Sequence, residues 1–425
     1  MRNSAWIGID FGTSGCRVCA INDSGHVIAQ TEQVIPRSSQ SYPSPSEQAQ
    51  ILFDALSDLL NQLPEFLIDA ICIDATSGSV MLCDSQAKPL SEMLMYNDAR
   101  ATQESETITS IAPSDSATLS ASSGLAKLLY FQSTRVLPAK YHLLHQADWL
   151  AIQLGARPGV TDYNNALKSG FDVINHRWPD WLSCLTALAV LPEVVAPGAI
   201  IGKLSKTAMQ KLRLTQDTPP KIKAGTTDSL AAFIATGANK IGDGVTSLGS
   251  TLVLKLLCQH PVYDAQRGIY SHKLGKHWLC GGASNTGGTV LRHFFTDEQL
   301  ITLSQKIDLN AVPPDFYPLL KPGERFPIAD VNHPPRLTPR PAEDQLFLHG
   351  ILMGIARIEK AGYDCLEIRS KTKLQSIRTV GGGSRNTVWS QIRQSLLQVP
   401  FEATNHTDAA YGSALLAKDG LTLFQ

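Results

Sequence analysis

Short segments rich in apolar residues, separated by polar and glycine-containing turns, predict three consecutive strands near the start of the chain, at Trp6–Asp10, Cys16–Ile21 and His26–Val34. The loop between the first two strands, Gly12–Gly15, contains only glycine and hydroxyl residues, and Asp10 stands at its entrance. Glycine allows the backbone to adopt positive φ and to approach a ligand closely. The pattern therefore predicts a strand meander that opens on a tight, polar turn.

A helical period follows the meander after a Pro- and Ser-rich stretch, Pro36–Pro45, which predicts a loop. The helix is expected from Ser46, because leucines recur at helical spacing up to Leu63. Short apolar strands are predicted at 68–74 and 80–83. Three paired strands, a helix and a further strand are the opening of a ribonuclease-H-like α/β unit.

The middle of the chain repeats this opening. Gly244–Leu254 again predicts strand, glycine-hydroxyl turn and strand, and Gly268–Cys280 predicts a hairpin. We therefore expect two ribonuclease-H-like α/β domains flanking a central cleft, at residues 1–236 and 237–425. A C-terminal helix within 409–425 is expected to pack back on the first domain.

The remaining chain is predicted to alternate helices with short strands. A buried strand is expected at Ser376–Val380. The predicted helices are Gly124–Arg135, Ala139–Leu154, Trp181–Leu191, Leu230–Thr236, Thr286–Lys306 (mostly), Glu343–Tyr363 and Thr387–Leu397. His142 and His145 would then share one helical face. Without a third ligand nearby, an exposed helix surface is favoured over a metal site.

Composition narrows the class of protein. At 425 residues the chain is too long for one core, and 43% hydrophobic with 18% charged residues is typical of a globular protein. A net charge of −1 without blocks of like charge argues against nucleic acid or an anionic membrane as partner. No apolar run reaches the roughly 20 residues of a membrane span, and a strand is predicted too early for a signal peptide. We expect a cytoplasmic protein, either a monomer or a homodimer.

Cys16 and Cys19 have the spacing of a redox or zinc C-x-x-C pair. They fall in a predicted strand, however, where residues three apart point to opposite faces. Two ordinary buried thiols are therefore favoured over a redox role.

Glycine-rich turns are predicted at four strand ends: Gly12–Gly15, Ser247–Thr251, Gly281–Gly288 and Gly381–Gly383. The first is neither a P-loop nor a dinucleotide loop, because it joins two strands and no Lys follows it. Main-chain N–H groups and hydroxyls in such turns form concavities that suit phosphate. Two matched loops that open two similar halves indicate a triphosphate held between two lobes.

These motifs resemble those of the FGGY carbohydrate kinases, members of the actin, sugar-kinase and heat-shock-chaperone superfamily. Residues 8–14 and 247–251 resemble the two phosphate motifs of the family, with Ser250 in place of the more usual Thr. Residues 224–228 resemble the segment that carries the catalytic Asp. Residues 76–79 and 96–100 resemble the substrate strand and the turn after it, and 281–285 and 381–384 resemble the adenosine-side loops.

The chain departs from the larger kinases of this family in two respects. It is shorter than most members, and Ser79-Val80-Met81 stands where Gln-Met-His is usual. The short form, with Asp162–Lys168, is similar to plant and cyanobacterial kinases that phosphorylate D-ribulose. The resemblance therefore implies ATP-dependent conversion of D-ribulose to D-ribulose 5-phosphate. A D-xylulose kinase is the alternative, and a polyol kinase, a chaperone-like ATPase and a non-catalytic sugar or nucleotide sensor are further rivals.

The resemblance implies a role for each motif residue. Asp228 would be the catalytic base, although an Asp before an apolar helix is also a common N-cap. Asp10 would hold Mg²⁺, since that ion prefers oxygen ligands, and this role is favoured over that of an Asp that only initiates a turn. The residues expected to bind ATP are Thr13, Ser14, Gly15, Arg17, Gly249, Ser250, Thr251, Gly282, Gly382, Gly383, Asn386 and Trp389.

Two of these ATP assignments have plain structural alternatives. Arg17 could be an outward-facing strand residue, and Trp389 could belong to the core instead of packing on adenine with Asn386 at its edge. The residues expected to bind the sugar are Ser77, Ser79, Asp98, Asp228 and Ser229. Alternatively, the hydroxyls of Ser77 and Ser79 could only form hydrogen bonds with main-chain groups at the end of a strand.

Overall fold

The computed structural model describes residues 3–35 and 42–425. Most of the predicted loop Pro36–Pro45 thus lies outside the described residues. The strands are β1 Asn3–Phe11, β2 Gly15–Ile21, β3 Val27–Val34, β4 Phe66–Ala75, β5 Val80–Cys83, β6 His142–His145, β7 Val160–Asp162, β8 Glu193–Val195, β9 Ile200–Lys203, β10 Lys221–Lys223, β11 Asp243–Leu248, β12 Leu252–Cys258, β13 His272–Leu274, β14 His277–Ala283 and β15 Ser376–Val380.

The helices alternate with these strands along the chain. They are α1 Pro45–Leu60, α2 Thr102–Ile111, α3 Gly124–Thr134, α4 Gln146–Leu154, α5 Tyr163–Ala166, α6 Lys206–Lys211, α7 Asp228–Ala235, α8 Gly288–Phe294, α9 Asp297–Ser304, α10 Asp344–Ser370, α11 Thr387–Leu397 and α12 Ala409–Asp419. Short 3₁₀ segments lie at Leu167–Ser169, Asp180–Cys184, Leu188–Val190, Ala265–Arg267, Gly382–Arg385 and Thr422–Phe424. Within the described residues, no helix combines the length and apolar character that crossing a bilayer requires.

The chain divides into two compact units. The first is made of residues up to 235 with 408–423 and Gln425, and the second of residues 236–407 with Phe424. The described part of the first unit contains a six-stranded sheet in the order β3-β2-β1-β4-β10-β9. β1 pairs antiparallel with β2 and parallel with β4, so the predicted meander and the crossover strand lie side by side. Helix α1 covers one face with Leu52, Leu56 and Leu59, which are fully buried.

Helix α12 packs on the other face of this sheet, against β1 and α7, at very short range. A Cβ on Gly8 of β1 would lie 2.0 Å from the carbonyl oxygen of Ala410, and one on Gly412 would lie 1.9 Å from that of Ala231. Glycine at position 8 therefore lets β1 approach α12, and glycine at position 412 lets α12 approach α7. The first unit thus contains a segment from the far end of the sequence.

The described part of the second unit contains a five-stranded sheet in the order β13-β14-β12-β11-β15. Here β11 pairs antiparallel with β12 and parallel with β15, which repeats the arrangement of β1, β2 and β4. The predicted similarity of the two halves is therefore confirmed in their sheet order. A fully buried ion pair, Glu359 of α10 with Arg393 of α11, joins these helices through two hydrogen bonds of 2.6 and 2.7 Å.

One predicted helix is wrong in its first part, and another is wrong altogether. The stretch expected to begin a helix at Ala139 instead forms β6, which pairs with β5, and the helix starts only at Gln146. Because His145 is a buried strand residue bonded to Asp148 and Ser169, the expected exposed helical face does not exist. The region 181–191 forms short 3₁₀ turns, since tertiary contacts override its weak helical period.

The cysteine prediction is confirmed for the strand pair. Cys16 and Cys19 are both buried free thiols in β2, and they belong to separate apolar clusters. Burial raises the pKa of Cys19 to about 12, against which a hydrogen bond from Gln30 acts. Neither thiol has the exposure or low pKa that a reactive cysteine requires.

Replacement of Gly412 by Ala tests the close packing of α12. The added Cβ would overlap the main chain of α7, and overpacking of this kind costs about 1–3 kcal/mol or more of unfolding free energy. We expect a lower thermal midpoint by calorimetry or circular dichroism. Gly12→Ala is the matched control, because a Cβ there meets nothing closer than 3.6 Å. Equal midpoints for the two variants would contradict the packing described.

Candidate active site

Two acidic residues lie side by side where β1 and β4 end. Asp10 and Asp74 are partners in the parallel register of these strands, and they are 7% and 0% exposed. The carboxyl ends of neighbouring parallel strands form the usual ligand edge of an α/β sheet. The polar end of β1 was predicted, whereas Asp74 was not.

Asp228 is the third carboxylate of this edge. The residue before it, Thr227, bridges to Ala75 at the end of β4, and Asp228 then begins α7. Its Oδ1 accepts a hydrogen bond of 2.6 Å from the main-chain N–H of Ser229, which is itself exposed. Asp228 is half-buried and therefore reachable from solvent.

Burial and neighbouring carboxylates raise the pKa values of Asp10 and Asp74. Burial, and after it the negative charge of Asp228, raises the pKa of Asp10 to about 6, while Arg17 acts in the opposite direction. Burial and the charge of Asp10 raise the pKa of Asp74 well above its usual range. Ser413 of α12 opposes this by donating a hydrogen bond of 2.5 Å to Asp74 Oδ2. Negative charge at this edge is therefore unfavourable without compensation, and a bound cation would compensate it.

Arg17 follows the first glycine-rich turn and forms ion pairs with two acids. It donates to Asp10 at 3.4 Å and pairs with Glu32 at 2.8 Å. Its side chain is 34% exposed and connects the buried Asp10 to the more exposed Glu32. Arg17 is thus engaged by carboxylates.

The turn Gly12–Gly15 is held by the main chain and leaves its hydroxyls outward. The N–H of Gly12 donates to the carbonyl of Gly15 at 2.9 Å, and Tyr42 Oη donates to the carbonyl of Gly12 at 2.9 Å. Thr13 is exposed and Ser14 is half-buried, whereas Gly15 begins β2. The turn is therefore a rigid frame with two available hydroxyl side chains.

The residues predicted to bind the sugar differ in how far their side chains are already engaged in hydrogen bonds. Ser79 is fully buried, and its Oγ bonds Thr76 at 2.5 Å and accepts from the N–H of Tyr96 at 2.9 Å, so it organises the turn. Ser77 Oγ is buried without a hydrogen-bond partner among the described residues. The carboxylate of Asp98 is fixed by Arg100 at 2.7–3.0 Å.

In the second unit, three glycine-rich segments meet at one end of the sheet. The carbonyls of Gly249 and Ser250 accept from the N–H groups of Gly288 and Thr289, at 2.8 and 3.0 Å. A Cβ on Gly381 would lie 2.7 Å from the carbonyl of Leu248. The β11–β12 turn, which includes Thr251, is thereby packed against the start of α8 and the turn after β15.

Three residues predicted to bind nucleotide are engaged in packing or hydrogen bonds within this unit. Trp389 is 2% exposed and lies beneath the loop, since its ring would be 2.6 Å from a Cβ on Gly383. Asn386 caps α11 by accepting from the N–H of Trp389 at 3.0 Å, and it also donates to Ser304 at 2.8 Å. Gly282 is buried in β14 against the ring of Phe326. Gly382, by contrast, is exposed with open space around it.

Both halves of the chain match the models of one protein family. Residues 5–235 match the N-terminal domain of the FGGY family of carbohydrate kinases, and residues 244–418 match its C-terminal domain. The chain belongs to the FGGY family. It is an ATP-dependent carbohydrate kinase, and the predicted fold of two α/β domains from this superfamily is confirmed.

The chain is similar to kinases that are named for different substrates. Xylulose kinase of Escherichia coli K12 is 24% identical and the alignment covers 97% of this chain and 89% of that protein. Gluconokinase of Bacillus subtilis is 22% identical, covering 99% and 87%. The structure of Plasmodium falciparum glycerol kinase with ADP has a TM-score of 0.86 at 16% identity, covering 100% and 90%.

Sequence reasoning missed the residues that support this FGGY site. Asp74 is the partner of Asp10 in the pairing of β4 with β1. The apolar run that ends in Asp74 was a usable signal for it. Ser413 could not be found, because its proximity depends on the return of α12. Glu324 is a further example, since it is buried and holds the Ser284–Asn285 turn through hydrogen bonds of 2.6 and 2.9 Å.

The described residues include no group of three or more His, Cys, Asp or Glu side chains arranged to hold a metal ion. Mg²⁺ in kinases is usually bound by one or two carboxylates together with substrate phosphates and water. The carboxyl group of Asp10 fits such a partial site, because it is buried and its pKa is raised by burial and by the charge of Asp228.

Asp10→Asn is expected to stabilise the protein at neutral pH. The pKa of Asp10 is raised in the folded state, so the folded protein binds the proton more tightly and loses stability as pH rises from about 4 through 6. Removing the charge should therefore raise the unfolding free energy by about 1–3 kcal/mol at pH 8. Urea unfolding at pH 8 and pH 4 measures this, and the gain should shrink at pH 4. A variant less stable than wild type at pH 8 would contradict the repulsion.

Proposed function

We propose that this protein transfers the γ-phosphoryl group of ATP to a hydroxyl of a ketopentose, with D-ribulose as the preferred acceptor and D-ribulose 5-phosphate as product. The observation that carries the proposal is that Asp228 directly follows Thr227, which bridges to Ala75 at the end of the strand leading to Ser77, and that both hydroxyls are buried without partners in the described part of the chain. Ser77 Oγ and Thr227 Oγ1 have no hydrogen-bond partner among the described residues. Buried polar atoms without partners are rare, and a polyhydroxyl ligand would satisfy them.

Asp228 is the proposed base. Half-buried at the start of α7, it would accept the proton of the attacking sugar hydroxyl. Phosphoryl transfer relies on positioning and on compensation of charge more than on covalent chemistry. Ser77, Asp98 and Ser229 would hold the sugar, whereas Ser79 would act indirectly by shaping the turn that carries Ser77.

Asp10 is the proposed ligand of Mg²⁺, either directly or through water. Bound there, the ion would supply positive charge to the phosphates of ATP. Arg17 would limit the excess negative charge around Asp10. The residues proposed to contact the phosphates are Thr13, Ser14 and Gly15 in the first unit, and Gly249, Ser250, Thr251, Gly382 and Gly383 in the second.

The preference for D-ribulose is supported by the segment 162–168, which is similar to that of short D-ribulose kinases. Asn164 in this segment donates to Thr226 at 3.3 Å, two residues before the proposed base. The segment is thereby connected to the acceptor site. D-Xylulose is the second candidate, because the relatives include the xylulose kinase of Escherichia coli.

The Asp228→Asn variant tests the base. Loss of a general base lowers turnover by about 10²-fold or more, so kcat should fall by at least that factor. Asp228→Ser is the matched control, since Ser can still cap a helix but cannot accept the proton at neutral pH. A steady-state assay of ADP release should show both variants impaired. Near-normal kcat in Asp228→Ser would show that Asp228 only caps the helix, and it would overturn the role of Asp228 as the base.

An acceptor panel tests the substrate. D-Ribulose, D-xylulose, gluconate and glycerol are compared by kcat/KM at fixed Mg-ATP, with product identified by mass. We expect D-ribulose to exceed every other acceptor by about 10-fold or more, a difference typical of one or two hydrogen bonds. A higher value for D-xylulose would establish the second candidate. ATP hydrolysis that is independent of sugar, or no turnover at all, would overturn the proposal.

A further inference from the structure

A lysine is buried beneath the proposed sugar segment. Lys127 lies in the first turn of α3 and is completely buried among the apolar side chains of that helix. Its Nζ donates to the carbonyl of Gly78 at 2.7 Å and to the carbonyl of Met95 at 2.6 Å. No carboxylate in the described part of the chain forms an ion pair with it. A fully buried lysine without an acidic partner is costly and uncommon.

The two carbonyls belong to the two segments that carry the proposed sugar contacts. Gly78 stands between Ser77 and Ser79, and Met95 precedes the turn that leads to Asp98. A hydrogen bond of 2.9 Å from the N–H of Tyr96 to Ser79 Oγ connects the same segments. Lys127 therefore supplies two of the bonds that fix one segment relative to the other.

We propose that Lys127 is a positioning residue for the acceptor sugar, which holds the main chain of both segments so that Ser77 and Asp98 face the ligand together. The inference rests on the proposed function, since it requires that these segments bind sugar. Lys127 has no access to the reacting atoms and takes no part in proton transfer. Its loss should weaken sugar binding, with little effect on the chemical step.

The charge of Lys127 is sensitive to pH near neutrality. Burial lowers its pKa to about 7; the nearby charge of Asp98 opposes this shift, and those of Lys168 and Arg100 add to it. The ammonium is therefore lost as pH rises above 7, and a neutral amine is the weaker donor to carbonyl oxygens. Sugar affinity in the wild type should fall over the same range.

Lys127→Met removes both donors and keeps most of the side-chain volume. Loss of hydrogen bonds from a charged group should raise the KM for the sugar by about 10-fold or more. A loss of ground-state binding alone leaves kcat unchanged, so kcat and the KM for ATP should stay within about threefold of wild type. Lys223→Met is the matched control, because that half-buried lysine donates to the carbonyl of Lys418, away from the sugar segments.

Lys127→Arg provides a second test if the Met variant does not fold, as judged by its thermal midpoint. The guanidinium keeps its charge at all accessible pH values. We expect the KM for the sugar to rise severalfold between pH 6.5 and 9 in the wild type but to stay flat in Lys127→Arg. The comparison separates Lys127 from Asp162, whose pKa burial raises to about 7 and which both proteins retain.

The outcomes distinguish this inference from the proposed function. An active wild type whose sugar KM is unchanged in Lys127→Met, or equally pH-dependent in Lys127→Arg, would overturn the role of Lys127 alone. A fall in kcat of about 10²-fold at constant KM would also overturn it, because that pattern belongs to a catalytic group. A wild type that phosphorylates no sugar would overturn both.

Discussion

The close approach of α12 to β1 and α7 is the constraint on which the first unit depends. Glycine at positions 8 and 412 allows main chain to pack on main chain, where any Cβ would overlap a carbonyl group. This contact brings Ser413 within hydrogen-bond distance of Asp74 and so places the last helix beside the acids of the sheet edge. Packing and site chemistry are thus decided by the same few residues.

Two clusters of buried charge, one in each unit, differ in how completely their polar atoms are satisfied. In the second unit, Glu359 and Arg393 are fully enclosed, and Thr246 and Thr379 add further hydrogen bonds to the pair. Such complete satisfaction makes the network a rigid part of the core. In the first unit, Asp10 and Asp74 are buried beside the charge of Asp228, and Asp74 Oδ1 has no partner among the described residues. Uncompensated charge of this kind lowers stability and is typical of functional sites.

Local sequence pattern predicted the parts of the structure that depend on neighbours in the chain. The meanders, the glycine turns and α11 follow from periodicity and turn chemistry. Residues 139–145 and 181–191 were assigned wrongly, because long-range packing decided their conformation. In the site, Asp10 and Asp228 were recognisable from their motifs. Trp389 could not be classified as core from spacing alone, and the partners of Ser79 and Asp74 come from distant segments.

The division of the chain has a consequence for its synthesis. Residues 236–407 belong to one unit and emerge from the ribosome as a continuous stretch, whereas the first unit contains residues 408–423 as well as the first 235. Domains generally fold as units while the ribosome synthesises the chain at about 5–20 residues per second. Most of the second unit is therefore synthesised while the first still exposes the apolar surface around Gly8 that α12 covers. The first unit cannot complete its packing until nearly the whole chain has been made, and a chain truncated before residue 408 would retain that exposed surface.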